Sequence, residues 1–132
     1  MSFENSVGSG VLDFPCGAER LPDGTTIIAD AGDDQQLGSE LLIVDKNGQL
    51  LWNYTEGLRF AHSAVPVAGG SFLVTDTTNN RVLEVTRDGK VVFTSEHWDH
   101  GTGNLSDGSH LDYPNDAHPL DDDRLLITDR NN

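Results

Sequence analysis

Short apolar runs alternate with turn residues along most of this chain. The clearest stretch is 60–95, where four runs of 6 or 7 residues rich in Val, Leu, Phe and Thr are separated by Gly, Asn or Asp. Such runs fit a half-buried pleated surface, and their length is typical of strands. Asp88-Gly89 between the last two runs is a strong hairpin signal. The pattern predicts a four-stranded antiparallel meander over 60–95, and the absence of a sustained 3.6-residue apolar period predicts essentially no helix.

The first half of this meander occurs three times. Segments 14–30, 60–76 and 113–129 align without gaps, and each opens with an aromatic residue, has Ala at its fifth position and ends with an aliphatic run before Asp. Segment 40–52 likewise matches 81–93. The terminal Asp residues lie 46 and 53 positions apart. A period of about 40–50 residues with four strands per unit is typical of a β-propeller blade.

The repeat predicts an all-β chain holding about two and a half propeller blades. The expected boundaries are a flexible lead-in at 1–10, then a partial propeller over 11–132 with blade 1 at about 14–54, blade 2 at about 60–95, a loop at 96–112 and a half blade at about 113–132. A propeller usually needs at least about four blades, and open sheet edges invite pairing. We therefore expect either a fragment of a longer propeller or a homo-oligomer whose copies complete one ring.

A family resemblance rests on the second unit. Residues 79–92 carry N-x-R-V-x-E-V-x-x-x-G-x-V-V, and His62-Ser63-Ala64 stands where the arylsulfotransferase-like repeat often has His-Asp-Ala. Over about 14–132 the chain resembles NHL-like and arylsulfotransferase-like six-bladed propellers. This repeat also serves non-catalytic propellers, so the resemblance is more specific for the blade than for chemistry. It leaves three functions open: a binding or scaffold propeller with a small-molecule or peptide ligand at its channel mouth, an aryl sulfotransferase, or a structural, self-assembling half-ring.

Candidate site residues follow from the place of the first strand, which lines the channel of a propeller. Where the family is catalytic, the resemblance implies a channel histidine that passes a sulfuryl group between phenols, which here is His62. Arg20 and Asn115 would hold the sulfuryl oxygens, and His118 would be a reserve acid or base. Ser63 stands where the family repeat has Asp. The third unit keeps an Asp at the equivalent position, Asp116. The other interpretation is that His62 and Asn115 hydrogen-bond neighbouring blades.

Two further clusters allow metal chemistry in principle. His97-Trp98-Asp99-His100, with His110 further along, has ligands that suit zinc but lacks a recognised spacing. We expect a surface or channel-mouth loop there, with Trp98 and His100, like Asp116 and His118, as ligand contacts. The Asp-rich turns could bind calcium, but Asp and Asn commonly cap their own turns. The sequence therefore predicts no metal and no cofactor.

Charge narrows the range of partners. The 22 acidic residues outnumber the 8 Lys and Arg, for a net charge of −14. This argues against nucleic acid and anionic membranes, which both need a basic surface, and it resembles proteins of high-salt organisms. Cys16 is the single cysteine, which excludes an internal disulfide. No apolar run is long enough for membrane insertion and no signal peptide is recognisable, so the compartment is left open.

Overall fold

The chain is all-β in the part that the structure describes. The structure is a computed structural model describing residues 12–95, 109–121 and 123–132. These ranges hold ten strands, no α-helix and one short 3-10 helix at Thr77–Asn79, which confirms the all-β prediction. The strands are β1 (Pro15–Arg20), β2 (Thr26–Asp30), β3 (Glu40–Val44), β4 (Leu50–Tyr54), β5 (Ala61–Pro66), β6 (Phe72–Asp76), β7 (Arg81–Val85), β8 (Val91–Thr94), β9 (Pro114–Pro119) and β10 (Leu125–Asp129).

The strands form three antiparallel units in chain order. The first sheet is β1-β2-β3-β4, the second sheet is β5-β6-β7-β8, and β9 and β10 form a hairpin. The meander predicted over 60–95 is therefore present as the second sheet. Each of the three aligned segments corresponds to the first two strands of a unit. The turn between β7 and β8 contains Gly89 at φ 81°, a conformation that favours glycine and explains why Asp88-Gly89 marks the hairpin.

The second sheet is packed on both of its faces. One core cluster joins it to the first sheet, with Phe72 and Val74 against Ile27 and Ile43. A second cluster joins its opposite face to the hairpin, with Leu73 among its members. All five residues of β6 are consequently buried. A strand covered on both sides needs apolar residues at consecutive positions, which is why β6 shows a continuous run instead of a period of two.

The Asp that ends each repeated segment is a backbone clamp. Asp30 and Asp76 are almost fully buried, and each carboxylate accepts hydrogen bonds from the two amides that precede the first strand of its own unit. Asp129 does the same for the amide of Asp112. The bonds of Asp30 run to the amides of Asp13 and Phe14 at 2.8 Å each, and those of Asp76 to the amides of Arg59 and Phe60 at 2.9 and 3.3 Å. These contacts favour a capping role for these Asp residues.

Small hydroxyl side chains tie successive units together. Ser39 Oγ accepts from the amide of Ala61 at 2.8 Å and donates to the carbonyl of Asp30 at 2.9 Å. Thr77 Oγ1 donates to the carbonyl of Pro114 at 2.6 Å. Ser39 and Thr77, which lie in the loops after β2 and β6, therefore link neighbouring units. Sequence analysis had suggested that His62 and Asn115 make such links.

Candidate functional site

Each first strand contains a β-bulge at the same aligned position. In the first sheet the pairing moves from Pro15↔Asp30 to Gly17↔Ala29, so one residue of β1 has no opposite partner. Corresponding register shifts occur in β5 and β9. The extra residues are Cys16, His62 and Asn115. A bulge redirects a side chain out of the regular alternation of a strand, and bulges are frequent beside functional sites.

The three bulges meet at one cleft of about 220 Å³. It is formed by β1, β5 and β9, so residues more than 45 positions apart share one surface. Four sequence-predicted residues are brought together there, namely His62, Asn115, Asp116 and His118. Cys16, Gly17, Ser63 and Glu19 complete the polar part of the lining.

Gly17 allows the first strands to approach closely. A Cβ atom at this position would lie only 2.9 Å from the carbonyl oxygen of His62. Backbone atoms cannot move away as a flexible side chain can, so a larger residue would push β1 and β5 apart. The glycine thus helps to set the width of the cleft.

Three predicted residues are not placed in the cleft. Arg20 lies at the end of β1, where its Nη1 donates to the carbonyl of Gly24 at 2.8 Å, and it is not part of the cleft lining. It is four residues beyond the bulge at Cys16, and a strand rises about 3.3 Å per residue, which carries it to the far end of the strand. Trp98 and His100 lie outside the described residues, as does the rest of the His97–His100 cluster.

His62 has an imidazole that is positioned by stacking. Its ring lies 6.2 Å from that of Phe60, at an interplanar angle of 22°. Phe60 in turn contacts Phe14, the equivalent aromatic residue of the first unit. Within the described part of the chain, no hydrogen bond joins the His62 ring to another residue, and His62 lines the cleft.

Asp116 is the centre of a polar network on one wall of the cleft. Its Oδ2 lies 3.0 Å from His118 Nε2, and its Oδ1 accepts from the amide of Ala117 at 3.0 Å. Burial raises the pKa of Asp116, but hydrogen bonds from Ser63 and His118, the charge of His118 and the Ala117 amide outweigh burial, so the pKa lies below its ordinary value of 3.8. Ser63 Oγ also lies 3.0 Å from Thr75 Oγ1, which anchors the network to β6. The pair of Asp116 and His118 can accept, hold and return a proton.

Cys16 contributes a protonated thiol. Burial raises its pKa above the ordinary value of 9.0, and the nearby charge of Asp30 raises it further. A thiol in this state is a weak nucleophile at neutral pH, since the thiolate is the reactive form. Cys16 therefore contributes shape and a weak hydrogen-bond donor to the cleft.

Asn115 has an unused acceptor. Its Oδ1 is buried and has no hydrogen-bond partner in the described part of the chain. A buried polar atom without a partner costs about 1–3 kcal/mol. The wall of the cleft therefore contains one side chain whose hydrogen-bonding capacity the fold itself does not satisfy.

The donors and acceptors of the cleft suit a neutral polar ligand. Its lining includes two histidines, an amide, a hydroxyl and two carboxylates, but neither Lys nor Arg. Within the described ranges no three His, Cys, Asp or Glu side chains are grouped closely enough to hold a metal ion. Glu19 was missed by sequence reasoning, although it aligns with His118 and the repeat offered that signal. No helix among the described residues is long and apolar enough to cross a membrane.

Comparison with known proteins shows the fold alone. No family model matches the chain, and no curated protein matches it. Among solved structures, the chain is similar to the crystal structure of a protein of unknown function from Bacteroides caccae, with a TM-score of 0.58 and 20% sequence identity. The alignment covers 87% of this chain but 38% of that chain. The present chain thus spans well under two thirds of the length of its structural neighbour.

Proposed function

We propose that the three units are blades of a β-propeller and that the cleft at their first strands binds a small molecule or a peptide side chain. The observation that carries this proposal is the convergence of Cys16, His62 and Asn115. These residues occupy one repeat position, are displaced by equivalent bulges, and line one cleft. The same repeat position thus reaches one cleft from three strands, and it holds a different side chain in each strand, namely a thiol, an imidazole and an amide.

The packing of the units supports the propeller arrangement. Successive units stack face to face, and the first strand of each unit lies next to the first strand of the following one. Repetition of this step around an axis places the first strands innermost, which is the arrangement of propeller blades around a channel. The cleft then lies on the channel wall.

The ligand class follows from the size and charge of the cleft. A volume of about 220 Å³ is smaller than the roughly 300–1,000 Å³ of ordinary ligand pockets, so one ring with polar substituents is the expected size. The stacked imidazole of His62 offers a flat surface and two ring nitrogens, while Asp116 accepts hydrogen bonds. A phenolic ligand, either free or as a tyrosine side chain, matches these groups.

An NMR titration tests the binding proposal. Phenol, N-acetyltyrosinamide and phenyl sulfate are added separately to the labelled chain in buffer of high salt. We expect the first two to shift the amide resonances of β5 and β9, and His62→Ala to weaken binding about tenfold, equivalent to about 1.4 kcal/mol. His110→Ala is the matched control, because His110 is exposed and lies outside the cleft. The absence of shifts at millimolar ligand, or equal binding by His62→Ala, would refute the proposal.

Sulfuryl transfer is a second candidate, favoured by the unbonded imidazole of His62 in the cleft. A ring nitrogen of His62 would attack the sulfur of an aryl sulfate. A nitrogen–sulfur bond forms, the sulfur–oxygen bond breaks, and the phenolate leaves with the electron pair and takes a proton from the pair of His118 and Asp116. A second phenol then returns a proton to that pair, and its oxygen attacks the sulfur as the nitrogen–sulfur bond breaks. Asn115 is the neighbouring group that would hold the sulfuryl oxygens.

Turnover of 4-nitrophenyl sulfate with phenol as acceptor tests this second candidate. It predicts release of 4-nitrophenol by the parent chain and by His110→Ala, with at least a hundredfold loss in His62→Ala, on the order of the contribution of a nucleophile. Absence of turnover in the parent chain, or equal turnover in His62→Ala, would eliminate the His62 mechanism and leave the binding function.

A further inference from the structure

The charges around the cleft are one-sided. Its lining suits a polar ring that is itself uncharged, yet it contains two carboxylates, Glu19 and Asp116, and neither Lys nor Arg. Arg20 is next to Glu19 in sequence, but neighbouring side chains of a strand point to opposite faces, and Arg20 donates to the carbonyl of Gly24. No lysine or arginine of the lining therefore balances the two acidic groups.

The two carboxylates lie on opposite walls of the cleft. Glu19 belongs to β1 and Asp116 to β9, and β5, which holds the stacked imidazole of His62, contacts both of these strands. Glu19 is three residues beyond the bulged Cys16, whereas Asp116 is one residue beyond the bulged Asn115. At a rise of about 3.3 Å per residue, Glu19 lies about 7 Å further along its strand. A ring at His62 thus has an acidic group on each side, at two different levels.

Both carboxylates offer a negative charge to a ligand. Burial acts to raise the pKa of Asp116, but hydrogen bonds from Ser63 and His118 and the charge of His118 outweigh burial, so the pKa lies below its ordinary value. Asp116 is consequently ionised at neutral pH. Glu19 is exposed and forms no salt bridge with a cationic side chain of the described residues. The carboxylate of Glu19 is thus the group at which a cation from solution gains most.

The charge of the whole protein acts in the same direction. The chain has a net charge of −14. Burial, followed by the charge of Asp30, raises the pKa of the Cys16 thiol in the lining, so a further carboxylate acts on the cleft from beneath it. A cleft lined by charges of one sign raises the local concentration of ions of the opposite sign. The cleft should therefore attract a cationic group.

We propose that the phenolic ligand of the cleft carries an ammonium group two carbons from its ring, with the hydroxyl group toward Asp116 and the ammonium group toward Glu19. The inference rests on the binding function proposed above and narrows its ligand class. A short spacer is needed because the two carboxylates lie at different levels. The same chemistry occurs in a free phenolic amine and in the amino-terminal tyrosine of a peptide. Because Glu19 is exposed, the ammonium group keeps part of its hydration, and the gain in affinity is modest.

An NMR titration with pairs of ligands that differ mainly in charge tests the inference. Tyramine is compared with 4-(2-hydroxyethyl)phenol, and tyrosinamide with N-acetyltyrosinamide, at about pH 7, where an α-amino group with a pKa of about 7.7–8.0 is mostly protonated. In about 0.15 M KCl we expect the charged member of each pair to bind at least about threefold more tightly. The preference should shrink in about 1 M KCl, because the screening length falls from about 8 Å to about 3 Å. The anion 3-(4-hydroxyphenyl)propionate should bind more weakly than 4-(2-hydroxyethyl)phenol.

Two variants locate the charge that is responsible. Glu19→Gln should bring the ratio of the affinities for tyramine and 4-(2-hydroxyethyl)phenol close to one. Glu56→Gln is the matched control and should keep the ratio of the parent chain. Glu56 is also exposed and its replacement changes the net charge equally, but it lies in the turn after β4 and does not line the cleft. Far-UV circular dichroism confirms that each variant is folded at both salt concentrations.

The outcomes separate this inference from the proposed function. Equal affinities for tyramine and 4-(2-hydroxyethyl)phenol, or a preference that Glu19→Gln leaves intact, would overturn the inference alone, since binding of phenols through His62 would still stand. Absence of binding by every phenol would overturn the proposed function and this inference with it. If the preference is present, equal affinities for tyrosinamide and tyramine support an amino-terminal tyrosine as the ligand, and weaker binding of tyrosinamide supports a free phenolic amine.

Discussion

Replacement of Asp76 by Asn tests whether the repeated Asp is a structural clamp. Asp76 is fully buried, and its Oδ2 accepts from Arg81 Nε at 2.8 Å and from Asn79 Nδ2 at 2.7 Å. Its Oδ1 accepts from the amides of Arg59 and Phe60. An asparagine has the same shape but only one acceptor oxygen. If that oxygen keeps the two backbone amides, the new NH₂ group faces two donors.

The expected cost combines the loss of an ion pair with the burial of unpaired donors. Removal of one partner of a buried pair costs about 3–5 kcal/mol. Arg81 keeps some exposure and also donates to the carbonyl of Gly57 at 3.0 Å, which places the expected loss near the lower end, at about 3 kcal/mol. A domain of this size has a total stability of about 5–15 kcal/mol, so the loss is a large fraction.

Asp129→Asn is the matched control. Asp129 has the same repeat position but is partly exposed, and it accepts from the amide of Asp112 and from Asn132 without a cationic partner among the described contacts. Loss of a neutral hydrogen bond costs about 1 kcal/mol. The two substitutions should therefore differ about threefold in their effect.

Urea unfolding at constant high salt, followed by tryptophan fluorescence, measures both variants. Trp52 is a suitable probe because its ring lies 5.6 Å from that of Phe72 across the contact between the first and second sheets. The midpoint should fall much further for Asp76→Asn, with an unchanged slope. Equal losses of unfolding free energy for Asp76→Asn and Asp129→Asn would refute the view that the buried ion pair of Asp76 and Arg81 strengthens the contacts of Asp76.

Three other predictions concern the cleft. Gly17→Ala should cost about 1–3 kcal/mol in urea unfolding, because the new Cβ meets the carbonyl oxygen of His62. Burial, followed by the charge of Asp30, raises the pKa of Cys16, so iodoacetamide should alkylate the thiol more slowly at pH 8 than in the urea-unfolded chain, and the rate should still increase with pH beyond 9.0, where the rate for an ordinary thiol levels off. Asp116 should titrate below 3.8 by carboxyl NMR, and its contribution to stability, complete above the unfolded pKa, should be lost as the pH falls through the lower folded pKa.

Each of these experiments has a control and a contradicting result. Ala18→Ser, on the exposed face of β1, should leave the unfolding midpoint unchanged, and a Gly17→Ala midpoint equal to the parent would show that the strands can separate freely. Equal alkylation rates in the folded and unfolded chain would contradict burial of Cys16. His118→Ala should move the Asp116 titration upward, because one hydrogen bond and one charge are lost, and an unchanged titration would contradict the pair.

Local patterns were sufficient to predict the strands of this chain. The runs between 60 and 95, the turn at Asp88-Gly89 and the alignment on Asp30, Asp76 and Asp129 all involve residues close in sequence. Strand formation depends on the β-propensity of consecutive residues, and tight turns depend on glycine at positive φ. Both can therefore be read from a few neighbouring residues. The alignment also placed Cys16, His62 and Asn115 at one repeat position, and all three line the cleft.

The tertiary structure decided which residues share the cleft. Nothing in the local sequence marks Cys16, His62 and Asn115 as bulged, because a bulge depends on register against the neighbouring strand. The position of Arg20 at the far end of β1 likewise follows from the strand's rise and pairing. The sequence by itself determined the all-β class, the repeat and the candidate positions, since strands and turns are encoded over a few residues and the repeat is visible as aligned segments. Distances, burial and the exposure of Leu126 were decided only by how units about 50 residues apart in sequence pack on one another.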